Sequence, residues 1–435
     1  MTADPVQIQK LGRPVGRHVA VHRARSRLAV IRGPSSGQEV VFEGAICTVG
    51  REAGTDVTIA DPDVAARHLD IALGERGFLL SDLASPSGTH VGGIRIDRVY
   101  LRPGAVVELG SSAFRFDLTG DAVVVPLYDG ERLGDLVGRS IPMRESMAQI
   151  VRLAGSTGPV LVTGEPGVEC QRGACAVHAA SNRRDGPLEK VVCSPADHDI
   201  DRRIFGFEPA GGGPVPGALD RTARGTLVLV DVERLPLDLQ PALLRLLDSG
   251  VYRRVGGTRE IRSASRIVAT SGVSLAARVR CGQVRADLAQ RFLSARVVLP
   301  PLRHRMEDLR MLVGGILADE VPQAAPIAQS VLRVLSRYDW PGNFDELHDV
   351  VTGALRAPSA RKSGSRESES TKNLRVPAPS GVKLTEAKRR WAEAAEEAYL
   401  AGLVISTGHD LAECARLAGV APRTLKRLLA KHKLG

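Results

Sequence analysis

No apolar run in this 435-residue chain reaches the roughly 18 residues needed to cross a bilayer, which excludes a transmembrane helix and a membrane partner. The basic N-terminus is not followed by an apolar stretch, so it does not read as a secretory signal. The six cysteines include no C-x-x-C pair, which argues against a disulfide framework or a structural zinc site. The expectation is a reduced, cytoplasmic protein with no metal site. Large apolar residues nearly vanish between Ala357 and Lys383, a segment that reads as a flexible linker. Acids are missing from Gly419 to Gly435, where Arg423, Lys426, Arg427, Lys431 and Lys433 stand unopposed. With a net charge of +10, the composition favours a polyanionic partner without proving one.

What is present divides the chain. Residues 1–27 hold six cations against Asp4 and read as a basic, disordered arm. From Leu28 to about residue 120, short runs such as RLAVIRG, EVVFEG and GFLLSDL recur between Gly, Pro and Asp, the spacing of an all-β sandwich. Residues 121–135 read as a connector. From Leu136 the pattern becomes strand, glycine turn and helix (PVLVTGEPG, then GTLVLVDV and RIVATS), which predicts an α/β core over 136–302 with a helical lid over 303–356. After the linker at 357–383, residues 384–435 return to helical periodicity.

That last part predicts a helix-turn-helix. Asp410 can cap a short helix that Gly419 ends, and Pro422 suits the first turn of the next one. Leu417, Val420, Leu425 and Leu428 would form a small core. Arg423, Thr424, Lys426 and Arg427 would then face outward near the helix start, able to reach base edges and phosphates of duplex DNA. A solvated basic helix is the bland alternative. The segment EEAYLAGLVISTGHDLAECARLAGVAPRTLKRLLAKHKLG resembles the Fis-type helix-turn-helix that closes bacterial enhancer-binding proteins of the sigma-54-dependent, NtrC-like family.

The middle resembles the same family, through VLVTGEPGVEC, IFGFE, GTLVLVDVERLPLDLQ, RADLAQRFLSARVVLPPLRHRMEDL and YDWPGNFDEL. The resemblance implies an AAA+ fold that holds ATP and magnesium and hydrolyses ATP. A phosphate loop works because glycines bare its backbone amides while a lysine neutralises the phosphates. Here the loop is Gly164, Glu165, Pro166, Gly167, Val168, Glu169, Cys170 and Gln171, with Cys170 at the family's lysine and Glu169 at its glycine. Val230 and Asp231 stand where the family has its two acids, and Asp345 where the lid has an arginine. Arg285 and Arg291 keep the spacing of the arginine-finger pair, and between Glu208 and Gly225 there is no G-A-F-T-G-A loop to contact sigma-54 polymerase. No catalytic residue and no cofactor are therefore expected. ATP and magnesium belong only to the alternative, an active sigma-54 activator.

The β-rich part resembles a forkhead-associated (FHA) domain, whose loops bind phosphothreonine. Its anchors are Gly50-Arg51, Asp56, His68, Asp82-Leu83 and Gly88-Thr89. Arg51 supplies the cation, but Ala65 and Ala66 replace the family's serine and arginine, and Ser87 its asparagine. Weakened phosphopeptide binding, or docking of another protein ligand, is the expectation. A DNA-binding regulator with a disabled AAA+ core follows. A phosphoprotein-binding scaffold is a further alternative, and homo- or hetero-oligomers with related regulators are open.

Overall fold

The computed structural model describes residues 6–9, 18–52, 54–320 and 328–356. The helix-turn-helix expected at 384–435, with Arg423, Thr424, Lys426 and Arg427, and the linker before it lie outside the described residues. Among the described residues no helix is long and apolar enough to cross a membrane.

The N-terminal domain is a sandwich of two sheets. Its strands are β1 (Val6–Gln9), β2 (His18–Arg32), β3 (Glu39–Phe42), β4 (Ile46–Gly50), β5 (Val57–Thr58) and β6 (Leu69–Gly74). They continue as β7 (Gly77–Asp82), β8 (Thr89–Val91), β9 (Ile94–Ile96), β10 (Arg98–Tyr100), β11 (Ala105–Leu109) and β12 (Ser112–Tyr128). One sheet runs β1-β2-β12-β11-β8-β9 with β3 on β2; the other runs β10-β7-β6-β4-β5. Alternate residues point inward, as the pleat requires, and Leu28, Ile59, Leu69, Ile71, Phe114 and Phe116 fill the space between the sheets.

Two boundaries move. The stretch 1–27 is not wholly a disordered arm, because β2 begins at His18 and pairs with Ala122–Tyr128 of β12. The connector expected at 121–135 therefore starts inside the sandwich. The arginines at every second position read as a solvated tail, yet Arg23 is buried over the rings of Phe42 and Phe78 and donates to Ser26 Oγ and the Gly44 carbonyl.

A small hairpin, β13 (Arg132–Leu133) and β14 (Leu136–Val137), leads into the α/β core. That core contains α1 (Ile141–Ala154), β15 (Val160–Thr163), α2 (Cys170–Ala179), β16 (Leu188–Val192), α3 (Ile200–Phe205), α4 (Ala218–Arg221) and β17 (Thr226–Val230). Then follow α5 (Gln240–Ser249), the hairpin β18 (Val251–Tyr252) and β19 (Ile261–Arg262), β20 (Arg266–Ser271), α6 (Leu275–Arg280), α7 (Ala286–Leu293) and β21 (Arg296–Val298). The main sheet is parallel in the order β16-β17-β20-β15-β21. Its inner strands TLVLV and RIVATS are buried at every position, as a sheet covered on both faces demands. The lid is α8 (Leu309–Glu320), α9 (Gln329–Leu335) and α10 (Asn343–Arg356), packed around fully buried Trp340. The Trp340 indole N–H donates to the Leu335 carbonyl.

Candidate functional site: the core–lid cradle

The loop between β15 and α2 leaves the C-terminal end of a central parallel strand, where α/β folds place ligands. Gly167 there has φ +78, and a Cβ on it would lie 2.0 Å from the Gly342 carbonyl oxygen, so the lid backbone touches the loop at a point only glycine allows. The contact is hydrogen-bonded. The Phe344 and Asp345 amides, at the start of α10, donate to the Gly167 carbonyl at 3.0 and 3.3 Å. The Asn343 side-chain amide donates to the Pro166 carbonyl at 2.9 Å, and its oxygen accepts from the Leu302 amide. Within the loop, the Val168 amide donates to the Glu165 carbonyl and the Cys170 amide to the Val168 carbonyl.

The acidic loop residues have internal partners, and Cys170 is packed among apolar side chains. Glu169 has φ −67, so a side chain fits there without strain. Its carboxylate accepts from Arg305 at 2.7 Å and from Arg172 at 2.6 Å; the Glu169 and Arg305 side chains are both almost wholly buried. Glu165 accepts both Nη groups of Arg303 at 2.7 Å. Although burial would raise the Glu165 carboxyl, those bonds and the charges of Arg303 and Arg67 hold it below its ordinary range. Cys170 begins α2 and lies in an apolar cluster with Val168, Val162 and Val230. Burial, reinforced by Asp231, Glu233 and Glu169, pushes its thiol up to about 12, so it is a neutral hydrophobe.

Val230 is 2 % exposed in that same cluster, and Asp231, at φ +55, turns the chain sharply after β17. Asp345 is raised by desolvation and by Asp349 and Glu169, an effect that His348 of the lid and Arg172 of the core oppose. Gln171 occupies the first turn of α2. The arginine-finger pair is committed within the chain: Arg285 to Asp287 at 2.6 Å, Arg291 to Asp248 at 3.3 Å and to the Leu247 carbonyl. The segment expected to lack the polymerase-contact loop carries the exposed glycines 211–213 and Val215, 53 % exposed.

Residues 136–298 match the sigma-54 interaction domain family. The DNA-binding transcriptional regulator NtrC of Azospirillum brasilense is 37 % identical over 227 residues, which cover 50 % of this chain and 47 % of that protein. Residues 136–298 of the chain thus carry a sigma-54 interaction domain, and about half of the chain is similar to NtrC-like transcription regulators. The regulatory protein AtoC of Escherichia coli K12 is 32 % identical over 231 residues, 51 % of this chain and 50 % of AtoC. Crystalline NtrX from Brucella abortus superposes with a TM-score of 0.50 at 28 % identity, covering 68 % of this chain and 69 % of that one. The chain thus spans about half the length of the curated relatives it matches. Residues 29–119 match the family described as the inner membrane component of T3SS, cytoplasmic domain.

In the sandwich, the loops whose residues resemble an FHA domain's lie together on one rim. Arg51 is exposed. Its backbone amide donates to the Ala65 carbonyl, and that of Glu52 to the Ala66 carbonyl, so the two loops run side by side. His68 braces them: its Nδ1 accepts from the Ala65 amide at 3.1 Å and its Nε2 faces the Gly88 carbonyl at 3.3 Å. Burial lowers its pKa, against the opposing pull of Asp82. Ser87 donates its hydroxyl to the Asp63 carbonyl, and Thr89 to Asp82. Gly88, at φ +72, lies directly under the guanidinium of Arg95.

Two residues absent from the sequence reading matter here. Arg67, next to Ala66, reaches Glu165 of the phosphate loop at 3.0 Å. Asp70, on β6, accepts from Arg303 at 2.5 Å and from His304 at 3.0 Å. Sequence alone offers no signal for either, since each partner lies on another domain.

Proposed function

We propose that this chain regulates transcription by binding duplex DNA through its C-terminal helices, with an AAA+ core that serves assembly or protein contact and does not hydrolyse ATP. The sigma-54 interaction domain and the likeness to NtrC-like regulators support the regulatory part. The observation that carries the second part is the pairing of Glu169 with Arg305 and Arg172 inside the loop that would receive phosphates.

Those residues do not fit a magnesium–triphosphate. A carboxylate replaces a bare glycine, a neutral thiol replaces the ammonium, and buried Val230 offers magnesium no oxygen. A unit charge misplaced at about 4 Å is worth on the order of 4 kcal/mol in a medium of intermediate dielectric. Several such changes act together. The sandwich is read as the docking module for a protein ligand, with Arg51 as its anion contact.

Footprinting on genomic DNA tests the first part. Protection should weaken steeply with salt, because phosphate contacts release counterions. Arg423→Ala with Arg427→Ala should abolish it while the thermal unfolding of the rest stays unchanged. Titration with a fluorescent ATP analogue and magnesium tests the second: micromolar binding with turnover would return the chain to the active sigma-54 activators.

A further inference from the structure

The sandwich, its rim included, is tied to the rest of the chain at three places. Glu52 pairs with Arg280 of α6 at 2.6 Å, Arg67 and Asp70 engage the phosphate loop and the segment after β21, and Arg98 of β10 pairs with Asp339 of the lid. At the centre, Arg303 is shared between Glu165 of the core and Asp70 of the sandwich. We propose that Glu165 acts as an internal anionic pseudo-ligand for the sandwich, and that its docking onto Arg67 masks a phosphothreonine-peptide site formed by Arg51 and Arg67.

Geometry places the two arginines on one site. A Cβ on Gly50 would lie 2.2 Å from the Ala66 carbonyl oxygen and 2.9 Å from the Arg67 Cα, so the loops bearing Arg51 and Arg67 touch along their backbones. Arg51 is exposed, whereas Arg67 is held by a carboxylate of the core. In this chain Ala65 and Ala66 supply no donor for a phosphate. Arg67, on the adjoining loop, can replace them, and a bidentate guanidinium suits a phosphate dianion. A phosphate there would compete directly with Glu165.

The contact is also built to open. The Asp70 Oδ1, His304 Nδ1 and Arg303 Nε atoms are buried at it without a hydrogen-bond partner among the described residues. Buried polar atoms left unpaired oppose the docked state, since water would satisfy them on undocking. The Arg67–Glu165 pair itself is half open to solvent, with the Arg67 side chain 42 % exposed, so an incoming anion can reach it. The inference rests on the reading of the sandwich as an anion-dependent docking module.

The test uses the full chain and a labelled random phosphothreonine peptide pool, with the unphosphorylated pool as control, followed by anisotropy. Glu165→Gln should tighten phosphopeptide binding by about tenfold over the unaltered chain, the loss of one charge-assisted competitor. Glu165→Asp, which keeps the charge, should stay close to the unaltered chain. Adding Arg67→Ala to Glu165→Gln should cancel the gain. If Glu165→Gln does not fold, Asp70→Asn, which loosens the same contact from the sandwich side, should give the gain instead. Equal affinity in the unaltered and the Glu165→Gln or Asp70→Asn chains overturns the mask, as does a gain that survives Arg67→Ala. Binding that is absent throughout and indifferent to Arg51→Ala sinks the anion-reading sandwich itself, and the mask with it.

Discussion

At the residue scale, the phosphate loop has exchanged one network of charges for another. Glu169 and Arg305 are the most deeply buried ion pair of the cradle, with side chains 3 % and 1 % exposed. Such a pair adds little compared with apolar residues of equal volume, but half of it alone is costly. Glu169→Ala should therefore destabilise the chain by about 3–5 kcal/mol, measured by urea unfolding, because Arg305 would keep a buried charge with, among the described residues, only the Met143 sulfur within bonding distance. The double variant Glu169→Ala with Arg305→Met should recover most of that loss. A cost no smaller in the double variant would show that Glu169 acts through packing and not through its charge. The substitutions at Glu169 and Cys170 were legible in the sequence, because the surrounding glycines fix the alignment of the loop. Their partners were not: Arg172 lies three residues away and Arg305 more than a hundred.

Among the elements, the parallel sheet and the lid followed the periodicity that announced them. Fully buried strands read as unbroken apolar runs, and α10 follows the tryptophan, proline and glycine that end the preceding turn. The beginning of β2 was hidden, since arginine at alternate positions gives no apolar signal and only the facing aromatic rings bury Arg23. The tight seam between the phosphate loop and α10 was equally invisible, being made of backbone. It carries a direct consequence. Gly167→Ala puts a side chain at positive φ against the Gly342 carbonyl, so α10 must withdraw and its amides lose the Gly167 carbonyl. A loss on the order of 3 kcal/mol is expected. Hydrogen exchange should rise in both 164–170 and 342–346; a rise in the first segment alone would mean that the lid is held elsewhere.

Across the whole molecule, the sandwich, the core and the lid are joined by charge, and that joint has a pH signature. Burial alone would raise Asp70, but the hydrogen bond from His304 and the charges of Arg303 and Arg67 hold it well below the ordinary carboxylate range. Glu165 is depressed by the same arginines. A carboxylate whose pKa is lower folded than unfolded stabilises the fold fully above its unfolded value, about 3.9 for aspartate, and loses that contribution as pH falls toward the folded value. Burial pushes Asp308 and Glu307, close to the same joint, in the opposite direction, so the acid limb of the unaltered chain mixes both signs. Asp70→Asn isolates one of them. At pH 7 it should cost about 3 kcal/mol, because it leaves Arg303 and His304 facing a neutral amide. Below about pH 4 the difference between the two chains should shrink, as Asp70 takes up its proton in the unfolded state of the unaltered chain while it stays ionised in the folded one. Urea midpoints at pH 7, 5, 4 and 3 read this directly. A difference that stays constant over that range would mean that the joint is held by shape, with the charges of Asp70 and Arg303 incidental to it.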